Sequence, residues 1–321
     1  MRLVFAGTPK NAAETLSAIV EAGHEVVGVV TRPPAPSGRG RKPRESAVAA
    51  LSRDLGLDLF DPQSMRRPNV FAWIKEREPE VAVVVAYGGL VPPNLLTVPE
   101  FGWVNIHYSL LPRWRGAAPV AHAIAHGDTT TGVTVFELEV GLDTGPVLAA
   151  REAEILATDT TGALLGRLTG IGSDLITEVL ADFDAYADNA RPQPTQGVSF
   201  APRLQVTDAK VRWGSSAVEA DRWLRATTPS PGGWASFANA RIGIAPFVKV
   251  IADEGDIDAA MGFEIEPALA HPGQILLTKD GVWVRCRQGV VQLGEVKPAG
   301  KRLMLATDWV RGLRGVTLAF D

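Results

Sequence analysis

Asn105-Ile106-His107 sets a carboxamide and an imidazole at alternate positions of a stretch, Trp103–His107, that reads as a β-strand. Alternate strand residues project from one face, so the two polar groups stand side by side. Both can donate to a single oxygen that is gaining negative charge. A lone pair of this kind is also the ordinary setting of a satisfied core histidine. The segment that follows favours chemistry. Ser109-Leu110-Leu111-Pro112-Arg113-Trp114-Arg115-Gly116-Ala117-Ala118-Pro119 turns at Pro112, allows close backbone approach at Gly116 and offers Pro119 as a helix start. Asp143, in Gly141-Leu142-Asp143-Thr144-Gly145, completes the set. An aspartate in such a loop commonly caps its own turn. Near His107 it would instead orient the imidazole and accept a proton during reaction. Amide, imidazole and carboxylate together suit attack on a carbonyl-like carbon through a tetrahedral oxyanion, with no seryl or cysteinyl nucleophile needed.

These residues require a scaffold, and the first half of the chain supplies one. Strands are predicted at Arg2–Ala6, Glu25–Thr31, Leu57–Phe60, Val81–Ala86, Trp103–His107 and Gly132–Leu138. Helices are predicted from Gly7-Thr8-Pro9 to about Ala22, over Ser46–Gly56 and over Thr161–Leu180. This alternation is that of a Rossmann-like, mostly parallel α/β sheet, on which ligands bind at the carboxyl ends of strands. The first turn lacks the G-x-G-x-x-G spacing that seats a dinucleotide pyrophosphate, which disfavours a nicotinamide dehydrogenase. Asn189–Pro202 reads as an extended linker, with its prolines, glycine, amides and hydroxyls. Beyond it come a helix near Ser216–Ala226 and short β-like runs at Phe247–Ile251, Gly273–Leu277, Val282–Arg287 and Val290–Gly294, the texture of a small barrel. The expected organisation is residues 1–188, a linker at 189–205, and a β-rich domain at 206–321.

Composition narrows the function classes. The chain has 321 residues, 46% hydrophobic and 21% charged, enough apolar material for packed cores. One cysteine, Cys286, closes no intrachain disulfide and fits a reducing compartment. The longest aliphatic run is far too short to cross a bilayer and no signal-peptide pattern opens the chain, so a cytoplasmic protein is expected. Residues 1–205 carry a net charge of −5 and residues 206–321 of +1, so affinity for a polyanion must come from local patches. The clearest patch runs from Arg32 to Arg44, with Arg32, Arg39, Arg41, Lys42 and Arg44 and no acidic residue. Its prolines and glycines make it an exposed, flexible loop. His122, His126 and His271 lack metal-ligand spacing with acidic residues, and no metal site is expected. Trp213, Trp223 and Trp234 are read as packing residues rather than base-stacking ones.

Phe5-Ala6-Gly7-Thr8-Pro9, Ser37-Gly38-Arg39-Gly40-Arg41-Lys42, Val84-Val85-Ala86-Tyr87-Gly88, Asn105 to Pro119, Gly132-Val133-Thr134, Gly141 to Gly145 and Pro298-Ala299-Gly300-Lys301 span nearly the whole chain. In this order they resemble the 10-formyltetrahydrofolate-dependent formyltransferases, and within them the methionyl-tRNA formyltransferase family. The resemblance implies a Rossmann-like domain followed by an OB-like β-barrel that helps hold the tRNA. It implies Asn105, His107 and Asp143 as catalytic residues, Ser109, Leu110, Leu111 and Pro112 as folate contacts, and 10-formyltetrahydrofolate as the formyl donor. The acceptor would be the α-amino group of methionyl initiator tRNA, and the product N-formylmethionyl-tRNA. Asn105 and His107 would stabilise the oxyanion, and Asp143 would orient His107 and assist proton removal. For the tRNA it implies contacts from Arg39, Arg41, Lys42 and Arg44 in the basic loop and from Lys301 and Arg302, with Lys297, Arg285 and Arg287 as further members of a positive track. A monomer without metal or membrane attachment is expected.

Four positions depart from the family pattern. Tyr108 stands where a small residue or proline is frequent, which would reshape the mouth beside His107. Asn11, Ala121 and Glu137 replace a frequent phenylalanine, glutamine and glutamine. Two rivals remain: a formyltransferase acting on a sugar nucleotide or glycinamide ribonucleotide, and a non-enzymatic RNA-binding protein on a degenerate Rossmann domain.

Overall fold

The computed structural model describes residues 1–37, 42–261, 270–313 and 318–321. Two compact units result: residues 1–120, 130–155 and 164–202 form the first, and 121–129, 156–163 and 203–321 the second.

In the first unit the strands are β1 (Arg2–Gly7), β2 (Glu25–Val30), β3 (Ala35–Ser37), β4 (Lys42–Arg44), β5 (Leu59–Phe60), β6 (Val81–Val85), β7 (Trp103–His107), β8 (Thr130–Glu137) and β9 (Val147–Glu154). The helices are α1 (Lys10–Glu21), α2 (Ala47–Asp54), α3 (Pro68–Lys75), α4 (Pro93–Leu96), α5 (Pro119–His126), α6 (Thr161–Ala181) and α7 (Phe183–Asp188), with the far part of α5 and the first residues of α6 falling in the second unit. Seven strands form one sheet in the order β5-β2-β1-β6-β7-β8-β9. From β5 to β7 the pairing is parallel, whereas β8 and β9 run antiparallel to their neighbours.

β6, Val-Ala-Val-Val-Val, is buried along its whole length, as a strand covered on both faces must be. β7 lies beside it and divides its residues between the two faces. Ile106 and Tyr108 turn toward the helices: Gly172 of α6 packs against both, and Asn11 of α1 donates to the Tyr108 hydroxyl at 3.0 Å. Asn105 and His107 therefore belong to the other face. α2 starts where Ser46 caps it, accepting from the Ala49 N–H at 2.9 Å and bonding the Thr31 hydroxyl at 2.7 Å.

The basic segment after β2 begins and ends as a two-stranded hairpin, β3 with β4, in the register Ala35↔Arg44, Pro36↔Pro43, Ser37↔Lys42. Two prolines face each other there, which an antiparallel ladder tolerates only at a pair that exchanges no N–H bonds. Its tip, with Arg39 and Arg41, lies outside the described residues.

The second unit holds α8 (Ala217–Ala226), β10 (Trp234–Phe237), β11 (Ala240–Ile244), β12 (Lys249–Ile251), α9 (Glu254–Met261), β13 (Ile275–Thr278), β14 (Gly281–Arg285), β15 (Val290–Leu293), β16 (Glu295–Lys297), β17 (Met304–Leu305) and α10 (Ala306–Arg311). Its strands form two four-stranded antiparallel sheets, β10-β11-β16-β17 and β12-β15-β14-β13. They share one core, in which Trp213 stacks on Phe320 with ring centroids 5.0 Å apart. α8 opens with a reciprocal capping box between Ser216 and Glu219. Trp223 and Trp234 are half-buried, under the guanidinium groups of Arg212 and Arg241. No helix among the described residues is long and apolar enough to cross a membrane.

Candidate active site

β7 ends at His107, whose ring is 5% exposed. Its Nε2–H donates to the Trp114 carbonyl at 2.8 Å, and Phe136 of β8 meets the ring edge-on. Burial holds the imidazole below its usual pKa, against the pull of the Asp143 charge and the Trp114 carbonyl. The neutral ring thus carries its proton on Nε2 and leaves Nδ1 bare. Nδ1 lies 3.8 Å from Asp143 Oδ2, beyond a direct hydrogen bond and inside ion-pair reach once the ring is protonated. The Trp114 carbonyl fixes the ring, and Nδ1 is the nitrogen left to work.

Asp143 reaches this point by an indirect route. Because β8 is antiparallel to β7, it ends beside the start of β7, where the Leu138 N–H donates to the Trp103 carbonyl. The loop of residues 138–146 then carries Asp143 back toward His107 before β9 begins. Asp143 is left-handed, at φ +51°, and its Oδ2 accepts the Gly116 N–H at 2.7 Å. Gly116 has φ +121°, and a Cβ there would lie 2.8 Å from the Ala201 carbonyl oxygen, so only glycine seats this amide. Gly145 is as tightly placed, with a Cβ falling 1.9 Å from the Glu137 carbonyl oxygen.

Asn105 is half-buried on the face it shares with His107. Ser109 is buried, donating to the Arg113 carbonyl at 2.6 Å, while its own carbonyl accepts the Thr134 hydroxyl at 2.7 Å. The Leu111 N–H donates to the same hydroxyl at 3.2 Å, so β8 holds the Ser109–Pro112 turn, where Leu110, Leu111 and Pro112 are half-buried. Val140 and Leu142 in the Asp143 loop expose large apolar side chains, Val140 to 79%, and Leu90, after β6, is exposed as well.

Among the tRNA candidates, Arg44 is exposed on β4, and Lys301 and Arg302 are exposed between β16 and β17. Lys42 contributes its backbone to β4.

Tyr108 does not reshape the mouth beside His107. Strand alternation sends it to the opposite face, where it is 7% exposed and its hydroxyl sits among Asn11, Thr15 and Thr169. Two of the departures, Tyr108 and Asn11, are therefore one hydrogen-bonded pair. Ala121 is buried in α5, and Glu137 is half-buried, its carboxyl pKa raised by burial.

Sequence reasoning missed the residues that hold the set in place: the Trp114 carbonyl, the Gly116 N–H, and Gln193 with Arg115. The Gln193 Nε2 group donates to the carbonyls of Asp143 at 2.9 Å and Gly145 at 2.8 Å, and its Oε1 accepts from Arg115 Nε at 3.1 Å and Nη2 at 2.6 Å. Only Gly116 left a sequence signal, as a glycine where the backbone must come close.

Residues 1–180 match the family described as Formyl transferase, and residues 203–314 match the Formyl transferase C-terminal domain. A methionyl-tRNA formyltransferase of Salinispora arenicola is 46% identical over 314 residues, covering 98% of this chain and 97% of that protein. The fold is shared with HypX of Aquifex aeolicus in complex with tetrahydrofolic acid, at TM-score 0.64 and 17% identity over 98% of this chain and 48% of that one. It is shared also with a Helicobacter canadensis N-formyltransferase in complex with folinic acid and dTDP-3-aminofucose, at TM-score 0.62 and 13% identity over 92% of this chain and 98% of that one. The chain belongs to the formyltransferase family, its full-length relatives being methionyl-tRNA formyltransferases.

Proposed function

We propose that the protein transfers the formyl group from N10 of 10-formyltetrahydrofolate to the α-amino group of methionyl initiator tRNA, giving N-formylmethionyl-tRNA for translation initiation. The observation that carries this reading is likeness over both halves of the chain: the relatives at 46% identity cover the catalytic region and the C-terminal region together. Residues 1–188 carry the reacting groups, residues 206–321 help hold the tRNA, and 189–205 run between them, with Gln193, Ser199 and Ala201 bonded to the loops of the first unit. The protein works as a cytoplasmic monomer.

The α-amine attacks the formyl carbon, and the carbonyl oxygen takes up negative charge. The Asn105 carboxamide donates to that oxygen. His107 begins neutral with Nε2–H given to Trp114, so it has no second N–H for the oxyanion until Nδ1 takes a proton. The incoming amine supplies that proton, by way of Asp143 or a water hydrogen-bonded to both groups, whose nearest atoms lie 3.8 Å apart. The imidazolium then faces Asp143, which stabilises it, and Nδ1–H can donate to the oxyanion. Collapse breaks the C–N10 bond, and the proton passes to N10. One proton moves from amine to N10 in all, and the chain is unchanged.

The donor lies against the Ser109–Pro112 turn and the apolar side chains of Leu90, Val140 and Leu142. Arg39, Arg41, Lys42 and Arg44, with Lys301 and Arg302, meet tRNA phosphates. The test is formyl transfer with methionyl initiator tRNA, glycinamide ribonucleotide and an amino-sugar nucleotide side by side. Transfer to the tRNA alone is expected, and transfer to either nucleotide in its place would refute the acceptor assignment.

A further inference from the structure

His107 and Asp143 are each held by a short loop in a costly conformation. Trp114, whose carbonyl accepts the His107 Nε2–H hydrogen bond, has φ +60°, and Asp143 has φ +51°. A non-glycine residue is strained in this region, so each persists only where the surroundings enforce it. The 113–118 loop is tied along one side to the segment that follows α7: the Trp114 N–H donates to Ser199 Oγ at 2.9 Å, the Arg115 N–H to the Ser199 carbonyl at 2.9 Å, and the Ala201 N–H to the Arg115 carbonyl at 2.7 Å.

Besides the Asp143 carboxylate, which accepts the Gly116 N–H, a second side chain spans from this loop to the other. Gln193 sits between Pro192 and Pro194, whose rings restrict the backbone around it. Its amide makes four hydrogen bonds, two given to the Asp143 and Gly145 carbonyls and two taken from the Arg115 guanidinium. Two donors and two lone pairs are all that such an amide has. The partners also admit one orientation only, because the carbonyls need the N–H groups and the guanidinium needs the oxygen. Within the first unit, Arg115–Gln193–Asp143 thus links the loop whose backbone contacts His107 to the loop that carries Asp143.

We propose that Gln193, braced by Arg115, is a positioning residue for formyl transfer: it sets the separation between Asp143 and His107 by locking the two loops to one another. All four hydrogen-bonding positions of the Gln193 amide are taken by protein groups, so it acts through the loops it joins. The inference rests on the functional reading above, because the separation matters only if those two groups handle the proton. The sequence placed Gln193 in a stretch read as a mere connector, yet this stretch carries the brace.

Single-turnover formylation of methionyl initiator tRNA tests it. Gln193→Leu is expected to lower the transfer rate about 10²-fold, the cost of a misplacement near 1 Å, and to leave KM for donor and tRNA within about threefold. Arg115→Lys, which keeps the charge and loses the planar fork, is expected to reproduce the loss. In an Asp143→Asn background Gln193→Leu is expected to add little, since its effect runs through Asp143. A merely structural role would lower the melting temperature and the active fraction, leave the rate per folded molecule intact, and add in full to Asp143→Asn. Should Gln193→Leu fail to fold, Gln193→Glu replaces it: the same size, it keeps Arg115 and sets oxygen against two carbonyls, with the same loss expected. Wild-type rates in the folded variant, or full additivity, would overturn the proposal. Wild-type protein that cannot formylate methionyl-tRNA would refute the functional reading instead.

Discussion

Asp143→Asn exposes the proton chemistry because the structure separates its two duties. Asp143 Oδ2 accepts the Gly116 N–H at 2.7 Å, a duty the asparagine carbonyl oxygen can keep. The protein should therefore fold, with a stability loss of about 1–2 kcal/mol from exchanging a charge-assisted bond for a neutral one. The carboxylate's second duty, taking or steadying a proton opposite Nδ1 at 3.8 Å, is lost outright. General acid–base help is worth about 10²–10⁴ in rate, or about 3–5 kcal/mol of barrier. The pH dependence adds a signed test. Burial lowers the His107 pKa from its usual 6.5, and the Asp143 charge pulls it partly back up. The ring must be neutral to accept the amine's proton, so activity should fall as pH drops below a value under 6.5. Removing the Asp143 charge makes the imidazolium harder to form, so the acid limb of the residual activity should move lower still. Stopped single-turnover formylation across pH 5–8, roughly the range of histidine titration, reads both effects. Turnover within about threefold of wild type, where two to four decades are expected, or an acid limb that moves upward, would refute the reasoning.

The remaining expectations concern other parts of the molecule. Tyr108→Phe removes the acceptor for Asn11 and should cost about 1–2 kcal/mol by chemical denaturation, with kcat within about twofold, because the hydroxyl faces the helices; a large loss of kcat at unchanged stability would contradict that placement. Arg44→Ala and Lys301→Ala should each raise KM for tRNA and reduce the slope of log K against log salt by about 0.7–0.9, leaving KM for the folate donor alone. Cys286 is fully buried and its thiol is pushed up to about 12 by burial, so a thiol-specific disulfide reagent near neutral pH should modify it only after denaturation.

The sequence made some elements readable and hid others for physical reasons. β7 emerges at Trp103–His107, the bounds predicted, because an apolar strand interrupted by polar residues on one face has a clear period. β9 was missed: Val-Leu-Ala-Ala-Arg-Glu-Ala-Glu lies at the sheet edge, buries little of one face and is rich in residues that favour helices. The turn between β10 and β11 was hidden too, since Ala238 and Asn239 are both left-handed and alanine gives no such warning. The Asn105, His107 and Asp143 constellation was legible as residue types. The direction of β8 was not, and with it the route that brings Asp143 to the imidazole. Gln193 lay beyond reach, because an amide bonded to residues 48 and 50 positions away leaves no local pattern.

The protonation state of His107 tests the account most directly. In protein carrying ¹⁵N-labelled histidine, with the His107 signals assigned by a His107→Gln variant, the ring should be neutral at pH 7. Its proton should sit on Nε2 and Nδ1 should be bare, with a titration midpoint below 6.5 that moves lower in Asp143→Asn. A ring protonated on Nδ1 at neutral pH, or a midpoint above that of free histidine, would contradict it.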